Sequence, residues 1–178
     1  MRIRRRSLVA LVVIFAAAVF VIARAQQPRK SPHETVKATV DGANISIEYG
    51  RPYMKGRKVE GGLIPYDSVW RTGADEATTL TSDKALTIGG TPVPAGKHTL
   101  WTAASPTEWK LVINKQTGQW GTDYDEKQDL ARVPMTKKTL STPVEQFTIA
   151  IEPKSGGGGE IKLAWNVTEA SVPFTVNK

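Results

Sequence analysis

Residues 36–49, VKATVDGANISIEY, contain two apolar alternations that meet at Asp41-Gly42. Before this dipeptide, apolar residues occupy every second position from Val36 to Val40, and after it they do so from Ala43 to Tyr49. A period of two places the apolar side chains on one face of a strand. Because Asp and Gly both tolerate the positive φ angles of a type I′ turn, the stretch predicts a β-hairpin with one buried face.

Seven further strand-like segments follow the hairpin and are separated by turn residues. Residues 89–96 are too rich in Pro and Gly for a helix, and the glycines at 156–159 predict a slack hairpin loop. Residues 115–143 have a weak pattern; within them, 123–131 predicts a turn or two of helix, with Asp123 as N-cap and Glu126 at the capping-box spacing. The chain is therefore predicted to be all-β, a single antiparallel β-sandwich or jelly-roll-like domain of about nine strands. The predicted strands are Val36–Val40, Ala43–Tyr49, Glu76–Thr81, Leu86–Ile88, Thr99–Ala103, Trp109–Ile113, Phe147–Ile151, Ile161–Val167 and Val172–Val176.

The first 25 residues have the organisation of an export signal. Four arginines precede an unbroken apolar run of 16 residues, Leu8–Ala23, and Ala23-Arg24-Ala25 is a small-x-small cleavage site. The run is shorter than the ~20 residues of a bilayer span. We therefore predict a signal peptide at 1–25 and a single domain at 26–178, periplasmic or secreted, with no membrane span after cleavage. An uncleaved membrane tether is the alternative.

The basic character of the chain belongs to this leader. The sequence has 24 basic and 17 acidic residues, but residues 1–25 contain five arginines and no acid, so the remainder is close to neutral. The high pI is thus no argument for nucleic-acid binding, and we predict no nucleic-acid partner. The chain has no cysteine, which excludes disulfides, thiolate metal sites and cysteine nucleophiles.

Familiar catalytic and metal motifs are absent from the sequence. There is no G-x-S-x-G elbow and no P-loop, and His33 and His98 lack ligand-spaced partners, which predicts ordinary strand or surface histidines. The acidic run 123–129 has the oxygen density of a calcium loop but not the Gly and Glu spacing of an EF-hand. We predict no metal and no cofactor.

Residues 49–77 form a long, polar and aromatic segment between regular strands, where function is often located. One hypothesis is a pocket in which aromatic rings stack on a ligand and arginines bind a carboxylate or phosphate. The other is a structural clip, in which Arg71 pairs with Asp75 or Glu76 and stacks on Trp70. Adjacent residues on a strand point to opposite faces, so Asp75 and Glu76 make a poor acid/base pair. Trp120 is the best exposed tryptophan on which a sugar ring could stack. The predicted ligand-binding or clip residues are therefore Arg51, Arg57, Tyr66, Trp70, Arg71, Asp75, Glu76 and Trp120.

Several short motifs together resemble the exported bacterial family filed as domain of unknown function twenty-nine eleven. The most specific is the run Trp70–Ala77, where family members often have Gly-Ala-Asn-Glu-Ala in place of Gly73–Ala77, and members usually have an aromatic residue near His98. The resemblance implies one domain over nearly the whole predicted mature chain and carries no established activity. The motifs are Tyr49-Gly50-Arg51-Pro52, Lys55-Gly56-Arg57, Pro65-Tyr66, Val69-Trp70-Arg71-Thr72-Gly73-Ala74, Pro94-Ala95-Gly96, Ile113-Asn114 and Trp120-Gly121.

Three functional hypotheses follow. The first is a non-enzymatic binding or envelope-associated module whose partner is a small molecule, a glycan or a protein. The second is a hydrolase that uses Asp75 or Glu76 with Arg71 on a sugar or phosphate ester. The third is a structural protein that binds a partner through a sheet edge.

Overall fold

The structure, a computed structural model, describes residues 28–177, so the predicted signal peptide at 1–25 lies outside it. The described chain consists of β-strands and one short 3₁₀ helix, Glu126–Gln128. The strands are β1 His33–Val40, β2 Ala43–Gly50, β3 Thr79–Ser82, β4 Leu86–Ile88, β5 Thr91–Val93, β6 Gly96–Ala104, β7 Trp109–Asn114, β8 Asp129–Pro153 and β9 Gly159–Val176.

The strands form one antiparallel sheet in the order β1-β2-β3-β6-β7-β8-β9-β4-β5. β8 belongs to both halves of the sheet, since residues 129–135 pair with β7 and residues 136–153 pair with β9. The all-β prediction is confirmed, and so is a hairpin loop between β8 and β9, where Pro153 pairs with Gly159. The loop is not slack as predicted, because Gly158 N donates to Asp41 Oδ2 at 2.6 Å.

The hairpin predicted from residues 36–49 is present. Val36 lies opposite Ile47 and Val40 opposite Ala43. Asp41 and Gly42 connect the strands with φ angles of 47° and 73°, both positive as a type I′ turn requires. The register places His33, the first residue of β1, opposite Gly50, the last residue of β2.

One hydrophobic core lies between the two halves of the sheet. Ile47 of β2 and Leu100 of β6 belong to the same buried cluster as Phe147 of β8 and Leu163 of β9. Burial of such a side chain contributes about 1.5–3 kcal/mol. Face-to-face packing of this kind is that of a β-sandwich, and it stabilises a chain that has no disulfides.

A smaller apolar cluster covers the opposite face of β6 and β7. Trp101 and Val112 are buried there beneath Ala77, with Tyr124 packed beside them. The Trp101 ring lies 4.9 Å from that of Tyr124, and its Nε1 donates to Thr99 Oγ1 at 3.0 Å. Trp101 is thus a core residue.

The prediction that residues 115–143 are irregular is wrong for the part from Asp129 onward. This part is strand, but Val133 and Met135 are its only buried residues before position 144, so the apolar alternation is weak. Pairing with β7 and β9, which the sequence pattern does not reveal, forms the strand. The helix prediction is also corrected: the 3₁₀ helix begins at Glu126, and its N-cap is Asp125, whose Oδ1 accepts from Lys127 N at 3.0 Å.

Further strand bounds differ from the prediction, since residues 161–167 and 172–176 belong to one strand, β9, and β5 at Thr91–Val93 was not predicted. β3 begins at Thr79 instead of Glu76. In β9 the apolar alternation that begins at Ile161 would bury Val167, but this residue is 37% exposed, because Asn166 has a φ angle of +52° and interrupts the alternation. No helix within residues 28–177 is long and apolar enough to cross a membrane.

Candidate functional site

Residues 49–77 return to the sheet at the point where they leave it. A Cβ atom at Gly50 would lie 2.2 Å from the carbonyl oxygen of Ala74, so only glycine permits this close approach. The start and the end of the loop are therefore in backbone contact, which places Asp75 and Glu76 beside the ends of β1 and β2.

Arg51 joins this loop to β8. Its Nε donates to the carbonyl oxygen of Phe147 at 3.1 Å, and its guanidinium also donates to Thr148 Oγ1 at 2.9 Å. Glu34 of β1 completes the arrangement with an ion pair. All of these partners belong to the protein, so Arg51 connects β1, the loop and β8.

Arg57 and Tyr66 close the loop locally. Arg57 donates to the carbonyl oxygens of Met54 at 3.0 Å and Tyr53 at 2.7 Å. The Tyr66 hydroxyl lies 3.4 Å from Glu60 Oε2, and burial raises the pKa of Tyr66.

Glu60 is the centre of this second cluster. It accepts from Lys137 Nζ at 3.1 Å and from the Thr168 hydroxyl. Burial acts to raise the pKa of Glu60, but the hydrogen bonds from Thr168 and Lys137 outweigh burial and lower the pKa. The carboxylate of Glu60 therefore connects the loop to β8 and β9.

Trp70 belongs to the core. It is 7% exposed, its ring stacks on Trp165 at 5.7 Å and 19°, and it meets the edge of Phe147 at 5.0 Å. Its backbone pairs with Thr102 of β6. The ring faces are thus occupied by other aromatic side chains.

Arg71 does not pair with the acids that follow it. Its side chain is half-buried against Gly121, and it makes no side-chain hydrogen bond or ion pair within residues 28–177. The clip hypothesis is therefore wrong in pairing Arg71 with Asp75 or Glu76. These two acids are instead bound by residues from the start of the described chain.

Asp75 is buried and accepts four contacts from this segment. Its carboxylate lies 3.1 Å from the backbone N–H groups of Lys30 and Ser31 and 3.3 Å from His33 Nε2. Glu76 binds Arg29 Nε at 2.9 Å, and its second oxygen is also 3.3 Å from His33 Nε2. We call Arg29, His33, Asp75 and Glu76 the latch.

Both acids reach one imidazole because the segment is not a regular strand. The φ angle of Asp75 is +64°, in the left-handed region, so the alternation expected for successive strand residues does not hold. The expectation that Asp75 and Glu76 point apart is therefore wrong.

A small polar cleft opens beside the latch. It has a volume of about 120 Å³, and we call it the outer cleft. Glu48 is exposed in it and makes no side-chain hydrogen bond or ion pair with any other described residue. The charged and polar side chains that line it are Arg29, His33, Glu48, Glu76, Thr79 and Gln119.

Trp120 lies at the rim of this region. Its backbone pairs with Glu76, and Gly121 N donates to the carbonyl oxygen of Asp75 at 2.9 Å. The side chain is half-buried and not fully exposed. The predicted site residues Asp75, Glu76 and Trp120 are thus brought together, whereas Arg51, Arg57, Tyr66 and Trp70 lie elsewhere in structural contacts.

Arg29, His33 and Glu48 were missed by the sequence analysis. Glu48 occupies a polar position in the alternation of the second predicted strand, and Arg29 lies before the first predicted strand. The hairpin register was the available signal, because it places His33 beside Gly50, where the long loop begins.

The acidic run 123–129 is occupied by protein partners. Asp129 accepts from Asn114 Nδ2 at 2.9 Å, from the Tyr124 hydroxyl at 2.6 Å and from Arg132 Nε at 2.9 Å. Burial and the bond to Asp129 raise the pKa of Tyr124. In the part of the chain that the structure describes, no three acidic or histidine side chains are grouped to hold a metal ion.

Comparison with known proteins gives one match. A family model described as "Protein of unknown function (DUF2911)" matches residues 31–174, which include β1 to β8 and all but the last two residues of β9. No curated protein and no solved structure matches the chain.

Proposed function

The chain belongs to the DUF2911 family, and we propose that it is a non-enzymatic binding module that acts in the periplasm or outside the cell. Its ligand site is the outer cleft, and the ligand presents a cationic group such as a primary ammonium. The export proposal rests on the composition of residues 1–25.

The observation that carries the proposal is the carboxylate of Glu48, which has no side-chain partner among residues 28–177. Glu48 and Glu76 line the outer cleft together, while Glu76 is already held by Arg29 and His33. A second cation would complete the pairing of Glu48, and hydrogen bonds between charged groups are about twice as strong as neutral ones.

The size of the cleft limits what enters it. A volume of about 120 Å³ corresponds to roughly four water molecules at ~30 Å³ each. The cleft therefore accepts one functional group of a ligand, and the rest of the ligand lies outside it.

Titration with small amines tests this proposal. We expect ethanolamine and glucosamine to produce saturable changes in the amide NMR signals of Thr79 and Gln119, while ethylene glycol and glucose do not. Glu48→Gln should weaken amine binding about tenfold, the equivalent of ~1.4 kcal/mol.

Asp67→Asn is the matched control, because Asp67 is an exposed carboxylate of the same loop with no side-chain bond among the described residues. If the amines and the neutral compounds behave alike, the proposal is wrong.

A hydrolase is the second candidate, since Glu48 and Glu76 come from different segments and line the same cleft. One acid of such a pair must donate a proton. Glu76 instead accepts from Arg29 at 2.9 Å, and Asp75 is buried and bound by backbone N–H groups. Hydrolysis of nitrophenyl glycosides or phosphates that disappears in Glu48→Gln and Glu76→Gln would favour this candidate over simple binding.

Sheet-edge binding stays a prediction. β1 and β5 are the two terminal strands in the sheet order. β5 has three residues and contains Pro92, which makes it a poor template for another strand. A partner would therefore use β1.

A further inference from the structure

The outer face of β1, β2 and β3 has a second depression, which we call the hydroxyl trough. It has a volume of about 540 Å³, within the range of sites for drug-sized ligands. Its backbone floor includes Ile45, whose side chain points into the core. The exposed and half-buried polar residues that line it are Lys37, Thr39, Asn44, Ser46, Thr81 and Asp83, whereas the polar residue Ser82 is buried.

The trough and the outer cleft lie in line on one face. Side chains two residues apart on a strand share a face, so Ser46 and Glu48 are neighbours on β2, and Thr81 and Thr79 are neighbours on β3. The register confirms this, because Ser46 lies opposite Thr81 and Glu48 opposite Thr79. The five residues from Asn44 to Glu48 span about 14 Å.

The chemistry of the trough favours a ligand with many hydroxyl groups. The hydroxyls of Ser46 and Thr81 make no hydrogen bond to another described residue, so both can donate and accept. Apart from Lys37, its polar side chains are short, and within residues 28–177 its apolar lining comes from Ala38 and Ile45. Such a surface provides hydrogen bonds together with apolar contact, which suits a sugar ring because the ring presents both hydroxyl groups and C–H groups.

The far end of the trough is held rigid. Asp83 accepts from Asn44 N at 2.8 Å and from Asn44 Nδ2 at 2.7 Å, and Thr39 Oγ1 donates to Asn44 Oδ1 at 3.1 Å. These bonds lower the pKa of Asp83, so it remains a hydrogen-bond acceptor near neutral pH. A preorganised surface loses less entropy when a ligand binds.

We propose that the hydroxyl trough and the outer cleft form one extended site for a short oligosaccharide that carries a free amino group. The amine pairs with Glu48 in the outer cleft, and the ring hydroxyls bond to Ser46, Thr81 and Asp83 along the trough. The inference rests on the proposed cation site and adds the class of ligand.

Calorimetry with four probes tests the inference: glucosamine, its β-1,4-linked trimer, the N-acetylated trimer and the tripeptide amide Gly-Gly-Lys. We expect the glucosamine trimer to bind at least tenfold more tightly than glucosamine and than the other two probes. Thr81→Val, which keeps the shape and removes the hydroxyl, should weaken binding of the trimer about fivefold and leave glucosamine unchanged. Glu48→Gln should weaken the binding of both glucosamine and its trimer.

The control is Thr139→Val, since Thr139 is an exposed strand threonine on β8 without a side-chain bond in the described chain. Equal binding of glucosamine and its trimer, or no effect of Thr81→Val, would overturn the extended site while the cation site stands. Tighter binding of the peptide would overturn the glycan assignment alone. If the N-acetylated trimer binds as tightly as the glucosamine trimer, or if no amine binds, both the extended site and the cation site are overturned.

Discussion

Asp75 ties the beginning of the described chain to the loop. Its buried carboxylate accepts from the N–H groups of Lys30 and Ser31 and contacts His33. We expect Asp75→Ala to lower the free energy of unfolding by about 1–3 kcal/mol, because it leaves these donors without an acceptor. Asp75→Asn should cost less, because it keeps one acceptor oxygen and tolerates a positive φ angle. Urea denaturation measures the free energy of unfolding of both variants. If Asp75→Ala lowers it no more than Asp67→Ala does, this role of Asp75 is contradicted.

His98 makes stability depend on pH. It is 7% exposed, and burial lowers its pKa. The unfolded chain then takes up the proton at a higher pH than the folded chain, so stability is lost as the pH falls below about 6.5. We expect His98→Gln to reduce the difference between urea midpoints at pH 7 and pH 5. An unchanged difference would contradict this assignment.

At the scale of elements, Tyr49 connects β2 to the edge of β8. The amide N–H of Ile149 donates to the Tyr49 hydroxyl at 2.9 Å, and burial raises the pKa of Tyr49. We expect Tyr49→Phe to cost about 1–3 kcal/mol, since a buried N–H loses its acceptor. Tyr53→Phe is the control, because Tyr53 is 38% exposed. Faster hydrogen exchange at Ile149 in Tyr49→Phe would locate the effect, and unchanged exchange would count against it.

At the scale of the whole molecule, Trp70 makes the long loop part of the core. Its ring packs between Trp165 of β9 and Phe147 of β8, while its backbone pairs with β6. We expect Trp70→Ala to destabilise the protein by about 3–5 kcal/mol and to change the near-UV circular dichroism. Trp120→Ala, at a half-buried position outside this aromatic group, should cost much less. If the two variants lose similar amounts of unfolding free energy, the loop is held by its polar contacts alone.

The candidate site was only partly predictable. Asp75, Glu76 and Trp120 stand out in the sequence because they are polar and aromatic residues in irregular segments. Arg29, His33 and Glu48 do not stand out, because nothing in the local sequence distinguishes them from ordinary polar residues before a strand or on its outward face. Their importance comes from the approach of Gly50 to Ala74, a contact between segments far apart in the chain.

The sequence by itself determined the elements whose physical cause is local. Alternation and Asp41-Gly42 specify the first hairpin, and the short strands between turn residues specify an all-β chain. The tertiary structure decided what depends on pairing between distant segments: the strand at 129–143, the burial of Trp70, and the partners of Asp75 and Glu76. A positive φ angle at Asp75 turned two acids expected to point apart toward one histidine, and such an angle is stable only because surrounding contacts hold it.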